Sequence, residues 1–444
     1  MLIGYDSELL RDVFVSDRMA EIFTFERTLQ SWLDVEAALA RAEAKVGVVP
    51  QAAADEITRK AVAANLDLDE LRAGLRETLH PVVPMVRLLA EACDGDAGGS
   101  IHWGATTQDI MDTGMVLQLR DASVLIAEEL QRIRDAAAVL AERHRSAIMP
   151  GRTHGQHAVP ITFGYKAAVW VDEADRHIEA FARAAEGVRV VQFGGAAGTL
   201  ASVGAVGISI RHELAKELDL VEPRITWHVS RDRLTTYAYE LASAALFVQR
   251  IAREVILLQG TDTSELAEPF HMGKVGSSTM PHKRNPVMCE TIWSLAALAQ
   301  DALRSIMTAA PQAHERDMAA WEVEWEAVPR LCVGTHQALV LAADVLEGLH
   351  VDESRMRANV DALNGLIMSE ATMMRLAPHL GRQEAHDVVY DAAMKAYEEG
   401  LSMIDLIRED PRLAGLEAAQ DLADPEAVID AAVQLVDDVL GRSA

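Results

Sequence analysis

Residues 115–149, 224–259 and 287–310 contain neither glycine nor proline. Their composition is helical, so each predicts one unusually long helix, the first reaching about 50 Å at a rise of about 1.5 Å per residue. In the second stretch Leu241, Ala244, Ala245, Val248, Ile251, Ala252, Val255 and Leu258 mark an apolar stripe at helical spacing. Leu246, Phe247, Ile256 and Leu257 add apolar surface on other sides. A helix apolar nearly all round must be covered nearly all round, which places it inside a bundle and permits a bundle built from several subunits.

Before these stretches the pattern is shorter, as in the helix predicted from Phe25 to Val46 and ended by Gly47. After Gly365 it shortens again, punctuated by Pro378, Gly381, Gly400 and Pro411. No alternation is long enough to require a sheet, and no internal repeat or low-complexity segment is visible. The expectation is an all-α chain with an N-terminal helical domain (1–105), a central long-helix bundle domain (106–363) and a C-terminal helical domain (364–444).

The 444 residues exceed the usual extent of one hydrophobic core, in keeping with several domains. A formal charge of −27 argues against a nucleic-acid surface and against docking on anionic lipid. If the substrate is an anion, the site has to gather positive groups and backbone N–H donors locally, against the overall field. Cys93, Cys289 and Cys332 lie far apart without CxxC spacing and read as free thiols of a reducing compartment. Asp6, Glu8, Arg11 and Asp12 stand where a signal peptide needs an apolar run, and no stretch reaches the roughly 18 apolar residues of a membrane span. A cytoplasmic protein is expected.

The most informative segment is Gly276-Ser277-Ser278-Thr279-Met280-Pro281-His282-Lys283-Arg284-Asn285-Pro286. By composition it is a polar connecting loop that sets hydroxyls, a cation and an amide just before a long helix, whose N-terminal field favours bound anions. As a string it resembles the signature loop GSSxMPxKxNP of the fumarase/aspartase superfamily at every fixed position. Two further segments, His102-Trp103-Gly104-Ala105-Thr106-Thr107-Gln108-Asp109 and Gly151-Arg152-Thr153-His154-Gly155-Gln156-His157, resemble superfamily motifs in the expected order.

The resemblance implies a homotetramer in which three segments from three subunits meet at each site, a small dicarboxylate substrate and no cofactor. It makes Ser277 the base that removes a proton beside a carboxylate. A serine needs fixed donors and positive charge to act as a base. Lys283 and Asn285 are placed to supply these and to hold the aci-carboxylate intermediate. Thr106, Thr107 and Thr153 resemble carboxylate ligands, and Gln156, Ser278 and Met280 further substrate contacts. His154 resembles the acid that protonates the leaving group. His80 and His102 resemble two additional active-site histidines of adenylosuccinate lyase. A metal pair of His154 with His157 lacks any supporting HExxH or carboxylate cluster, so no metal is expected. The glycine-rich 193–198 lacks a P-loop lysine and reads as a helix-connecting turn near the site.

Two branches of the superfamily compete. Trp227-His228 before Ser230-Arg231-Asp232-Arg233-Leu234, and His314-Glu315-Arg316 with Trp321 and Glu324-Trp325-Glu326, resemble 3-carboxy-cis,cis-muconate cycloisomerase. Glu290, thirteen residues after Ser277, resembles instead the glutamate with which adenylosuccinate lyase and fumarase pair their catalytic histidine; without that role it favours the start of its helix. Adenylosuccinate lyase itself fits poorly, because Val13 and Phe14 replace its nucleotide-holding Arg-Tyr pair and Trp321-Glu322-Val323-Glu324-Trp325 replaces its phosphate-gripping segment. An introduced glutamate there would repel a phosphate. The expectation is β-elimination from a small succinyl compound with a nitrogen-linked leaving group, such as an N-substituted aspartate or nitrosuccinate. The alternatives are the cycloisomerase, adenylosuccinate lyase and a catalytically inactive structural relative.

Overall fold

The computed structural model describes residues 10–270, 279–280, 282–419, 422 and 424–442. Long helices dominate: Thr107–Arg143, Phe163–Val188, Asp232–Gln259, Val287–Ala309 and Met318–Glu347. Shorter helices occupy the first hundred residues and the region after Gly365.

The helix Phe25–Lys45 shows how the sequence sets its ends. Thr24 caps it by accepting from Arg27 N, and beyond Lys45 the chain turns through Gly47 at φ +77°, with Val48 N bonded back to Glu43 O. That is the 6→1 closure in which glycine supplies the left-handed residue. Leu29, Leu33, Ala37 and Ala40 then face the core.

Three elements depart from expectation. The first long helix starts at Thr107 and passes straight through Gly114, where a Cβ would lie 2.6 Å from Trp32 Cδ1; the glycine admits an indole rather than ending the helix. The Met318–Glu347 helix contains Pro329 and was not among those the punctuation predicts. Past Arg143 the chain forms a two-stranded antiparallel ribbon, Ile148–Thr153 with Gln156–Thr162. Its first four residues are all buried, so the strand shows no alternation to read.

The chain forms two compact units, each drawing on separated stretches of sequence because five long helices are divided between them. The first unit takes residues up to Glu129, with His177–Leu246 and Ser294–Val340. Its core gathers Leu29, Leu33, Met85, Phe193, Trp227 and Trp321. The second takes Leu130–Arg176, Phe247–Trp293 and Leu341 onward. There Ile148 joins Leu376, Val388, Met403 and Ile407. Phe247 is buried, whereas Leu246, Leu257, Trp293 and Met307 on the long helices are half-exposed in the single chain. Among the described residues no helix is long and apolar enough to cross a membrane.

Candidate active site

In the first unit the site is built around the start of the Thr107 helix. Asp109, in the first turn, reaches back to accept from Thr106 N at 3.0 Å, the carboxylate half of a capping box. The same carboxylate accepts from Gly194 N (3.0 Å) and Gly195 N (2.9 Å) and lies 2.7 Å from His228 Nε2. The glycine-rich turn thus packs onto the helix start; at Gly194 a Cβ would strike Thr226 Oγ1 at 2.7 Å. With Asp109 serving the backbone, the Thr106 hydroxyl is left to Arg316, whose Nη1 donates to it while Nε donates to Gln108 Oε1 at 3.3 Å.

His80 and His102 join this cluster with their pKa values pushed in opposite directions. Burial, then the charge of Arg316, holds the His80 imidazole below its usual pKa, and His102 adds to the effect while Glu322 opposes it. For His102 burial acts the same way, but the hydrogen bond and charge of Glu36, with Asp109, outweigh it and raise the pKa. Two histidines whose environments push them apart are a common arrangement where a site needs both a cation and a neutral ring. His80 Nδ1 is buried without a hydrogen-bond partner among the described residues. Thr107 is nearly buried beneath the cluster.

In the second unit Thr153, His154 and Gln156 sit at the tip of the ribbon. His154 and Gly155 occupy the two turn positions with φ +53° and +75°, as a type I′ hairpin turn requires. Glycine is ordinary there; a histidine held at positive φ is uncommon and marks a candidate functional position. Next to the tip the ribbon is fixed by Arg152, which donates from both Nη atoms to buried Glu265 at 2.9 and 2.6 Å; Asn359 donates to the same carboxylate at 2.7 Å. All three tip residues are exposed in the single chain.

Ser277 and Ser278 lie outside the described residues. Of the rest of their loop, Met280 and Lys283 are exposed, Asn285 is half-buried, and Lys283 N bonds Met280 O at 3.0 Å. The expectation that the next helix offers its N-terminus to substrate is corrected by Glu268. Its carboxylate accepts from Met288 N at 3.2 Å and Cys289 N at 2.6 Å, so a protein carboxylate already occupies that helix end. Glu290 is exposed in the first turn of this helix. The His154 imidazole makes no hydrogen bond or ion pair among the described residues, so a Glu290–His154 pair is not formed within them.

The two glutamates between Trp321 and Trp325 are placed differently. Glu324 is fully buried and bonded to Arg231 Nε at 3.0 Å, and Arg231 also reaches Asp112 at 2.9 Å. Glu324 is paired inside the core and is not the glutamate that the sequence introduces in place of a hydroxyl. The exposed glutamate that acts on His80 is Glu322. Trp325 lines a cavity of about 880 Å³ with Trp32, Met111, Arg11 and Arg330; Arg11 is paired with Asp17 and Arg330 with Glu326.

Arg316 is a member of this cluster that sequence reasoning did not place. It was visible only as a branch marker in His314-Glu315-Arg316, and its partner Thr106 lies 210 residues away.

Comparison with known proteins agrees with this architecture. Residues 13–300 match the family described as Lyase, and 365–439 that described as Adenylosuccinate lyase C-terminus. The chain is 38% identical to N-acetyl-S-(2-succino)cysteine lyase of Enterococcus italicus, over 98% of this chain and 96% of that one. It is 38% identical to 3-carboxy-cis,cis-muconate cycloisomerase of Pseudomonas aeruginosa, over 94% and 91%. The crystal structure of a fumarate lyase from a Mesorhizobium species superposes with a TM-score of 0.90 at 40% identity, covering 97% of this chain and 99% of that one.

Proposed function

The chain belongs to the fumarase/aspartase superfamily, and from that premise we propose that it catalyses β-elimination from a small succinyl-type substrate, releasing fumarate. The observation that carries this reading is the guanidinium of Arg316 on Thr106 and Gln108 beside His102 and neutral His80. In a chain of net charge −27 this cluster gathers a cation, hydroxyls and imidazoles where a carboxylate would have to bind. Ser277 takes the proton from the carbon next to the second carboxylate. Lys283 and Asn285 hold the resulting aci-carboxylate, and collapse of that intermediate expels the leaving group, which receives its proton from His154. Thr107, Thr153, Gln156, Ser278 and Met280 complete the substrate contacts.

The active form is a homotetramer of the cytoplasm in which Glu290 of one subunit reaches His154 of another. The half-exposed apolar side chains of the long helices support an assembly that covers them. The leaving atom is nitrogen or sulfur: Glu290 favours elimination, and the name of the Enterococcus relative adds a thioether to the amines considered from sequence. The 880 Å³ cavity, walled by indoles and by arginines already paired, favours a leaving group without phosphate.

The test is a panel of N- and S-succinyl adducts followed by fumarate absorbance, run beside 3-carboxymuconate. Fumarate release from a succinyl adduct supports the reading. Rapid lactone formation with no fumarate from any adduct moves the protein to the cycloisomerase reading, which the Pseudomonas relative favours. No product from either marks a catalytically inactive relative.

A further inference from the structure

Glu36 is almost fully buried on the Phe25–Lys45 helix, yet both its oxygens serve one residue: Oε2 accepts from His102 N at 3.2 Å, and Oε1 lies 2.6 Å from His102 Nδ1. His102 sits at φ +59°, a conformation a non-glycine residue keeps only when its surroundings hold it there. With Nδ1 engaged, Nε2 is the ring nitrogen left for a ligand. A second buried glutamate on the same helix, Glu43, has neither oxygen paired among the described residues, and burial, then the charge of Glu36, pushes it up to about 9. Glu43 therefore holds its proton at neutral pH.

We propose that Glu36 is the positioning residue of the dicarboxylate site: it clamps the backbone and the ring of His102 together, so that Nε2 is turned to donate to a substrate carboxylate. The hydrogen bond and charge of Glu36 favour the protonated ring that such donation needs, against the effect of burial. The identity of that ligand rests on the lyase reading; the clamp does not. The charged and titratable groups facing His102 are Glu36 from its own helix, Asp109 from the start of the Thr107 helix and His80. Glu36 and Asp109 favour the cation; His80, itself held neutral by burial and Arg316, does not compete for it.

The experiment compares the wild-type tetramer, Glu36→Gln, His102→Gln and the double variant. Histidine C2 hydrogen exchange read by mass spectrometry gives the pKa of His102, and fumarate titration at several pH values gives affinity. Loss of an adjacent carboxylate is expected to lower the His102 pKa by about 1 unit or more. Fumarate binding by Glu36→Gln should then fall roughly tenfold at pH about 8, and the deficit should shrink towards pH about 5.5 as the imidazole gains its proton. The double variant should bind as His102→Gln does. A His102 pKa unmoved by Glu36→Gln, or a loss of affinity equal at every pH, overturns the proposal and leaves Glu36 a structural anchor. Should Glu36→Gln fail to fold, His102→Gln alone decides: it must abolish the pH dependence of fumarate binding between these values. The exchange measurement needs no turnover, so a wild-type protein that releases no fumarate defeats the lyase reading without touching this one.

Discussion

Asp109 Oδ1 lies 2.7 Å from His228 Nε2, with both side chains 1% exposed, and through this pair three segments distant in sequence are held as one piece. Asp109 belongs to the Thr107 helix, Gly194 and Gly195 donate to it from a connecting turn, and His228 closes the far side. An asparagine fits the space but offers one acceptor oxygen in place of two, and turns an amide N–H toward groups that are themselves donors. Removing one partner of such a buried set costs about 3–5 kcal/mol. Asp109→Asn is therefore expected to lower the melting temperature clearly and, by loosening Thr106, to weaken fumarate binding. A variant with wild-type melting and affinity would show that the network is not what places Thr106.

Arg316 is bound by geometry as much as by charge. Its Nη1 and Nε address Thr106 and Gln108 together, a fork that the ammonium of lysine cannot reproduce. Hydrogen bonds to a charged group contribute about 1.5–3 kcal/mol each, so Arg316→Lys should raise KM by roughly 10- to 100-fold with a smaller change in kcat. Arg316→Gln should also let the His80 pKa rise, since the arginine's positive charge is one of the groups holding it down. An unchanged KM in the lysine variant would remove Arg316 from the substrate.

Much of this was legible in the chain, and what was not has identifiable causes. Absence of glycine and proline announced three long helices, and the string from Gly276 to Pro286 announced the superfamily. Gly114 misled because a glycine that makes room for Trp32 looks the same as one that ends a helix. Pro329 misled because tertiary packing tolerates a proline that local rules reject. Glu322 and Glu324 differ by two positions, about 200° around a helix, and so by which side they face; sequence alignment registers a glutamate without saying that one is exposed and the other pairs with Arg231. Arg316 could not be placed because its partner is 210 residues away. The two candidate histidines His102 and His154 share a positive φ that only coordinates reveal.

Glu43 makes stability depend on pH in a definite direction. Its pKa is about 9 in the fold against an unfolded value of 4.5, so the folded state holds a proton that the unfolded state releases. The stabilisation is fully present below pH about 4.5 and is lost as pH rises towards about 9. Glu43→Gln removes that ionisation while keeping the shape, and should raise the unfolding free energy by on the order of a few kcal/mol at pH 8 and far less at pH 5, read as a larger rise in melting temperature at the higher pH. Equal gains at both values would mean that Glu43 is not the group responsible.

The last prediction separates the substrate classes by ligand protection. A nucleotide leaving group needs uncommitted cations for its phosphate, but the arginines lining the 880 Å³ cavity are paired with Asp17 and Glu326, and indoles form much of the remaining wall. Glu322 adds an exposed negative charge close enough to act on His80. AMP at millimolar concentration should therefore leave the melting temperature unchanged. On the proposed reading fumarate binds against Arg316, Thr106 and His102, and a ligand at 100 times its dissociation constant adds about 2.7 kcal/mol to the folded state. That stabilisation should fade as pH rises through the His102 pKa, because the imidazolium is the form that donates to a carboxylate from Nε2. Melting curves with fumarate, AMP and 3-carboxymuconate, each at two pH values, give three separable outcomes. Protection by fumarate alone, stronger at the lower pH, supports elimination from a small succinyl compound. Protection by AMP would restore a nucleotide substrate despite the paired arginines, and protection by 3-carboxymuconate with lactone formation would assign cycloisomerisation to the same cluster.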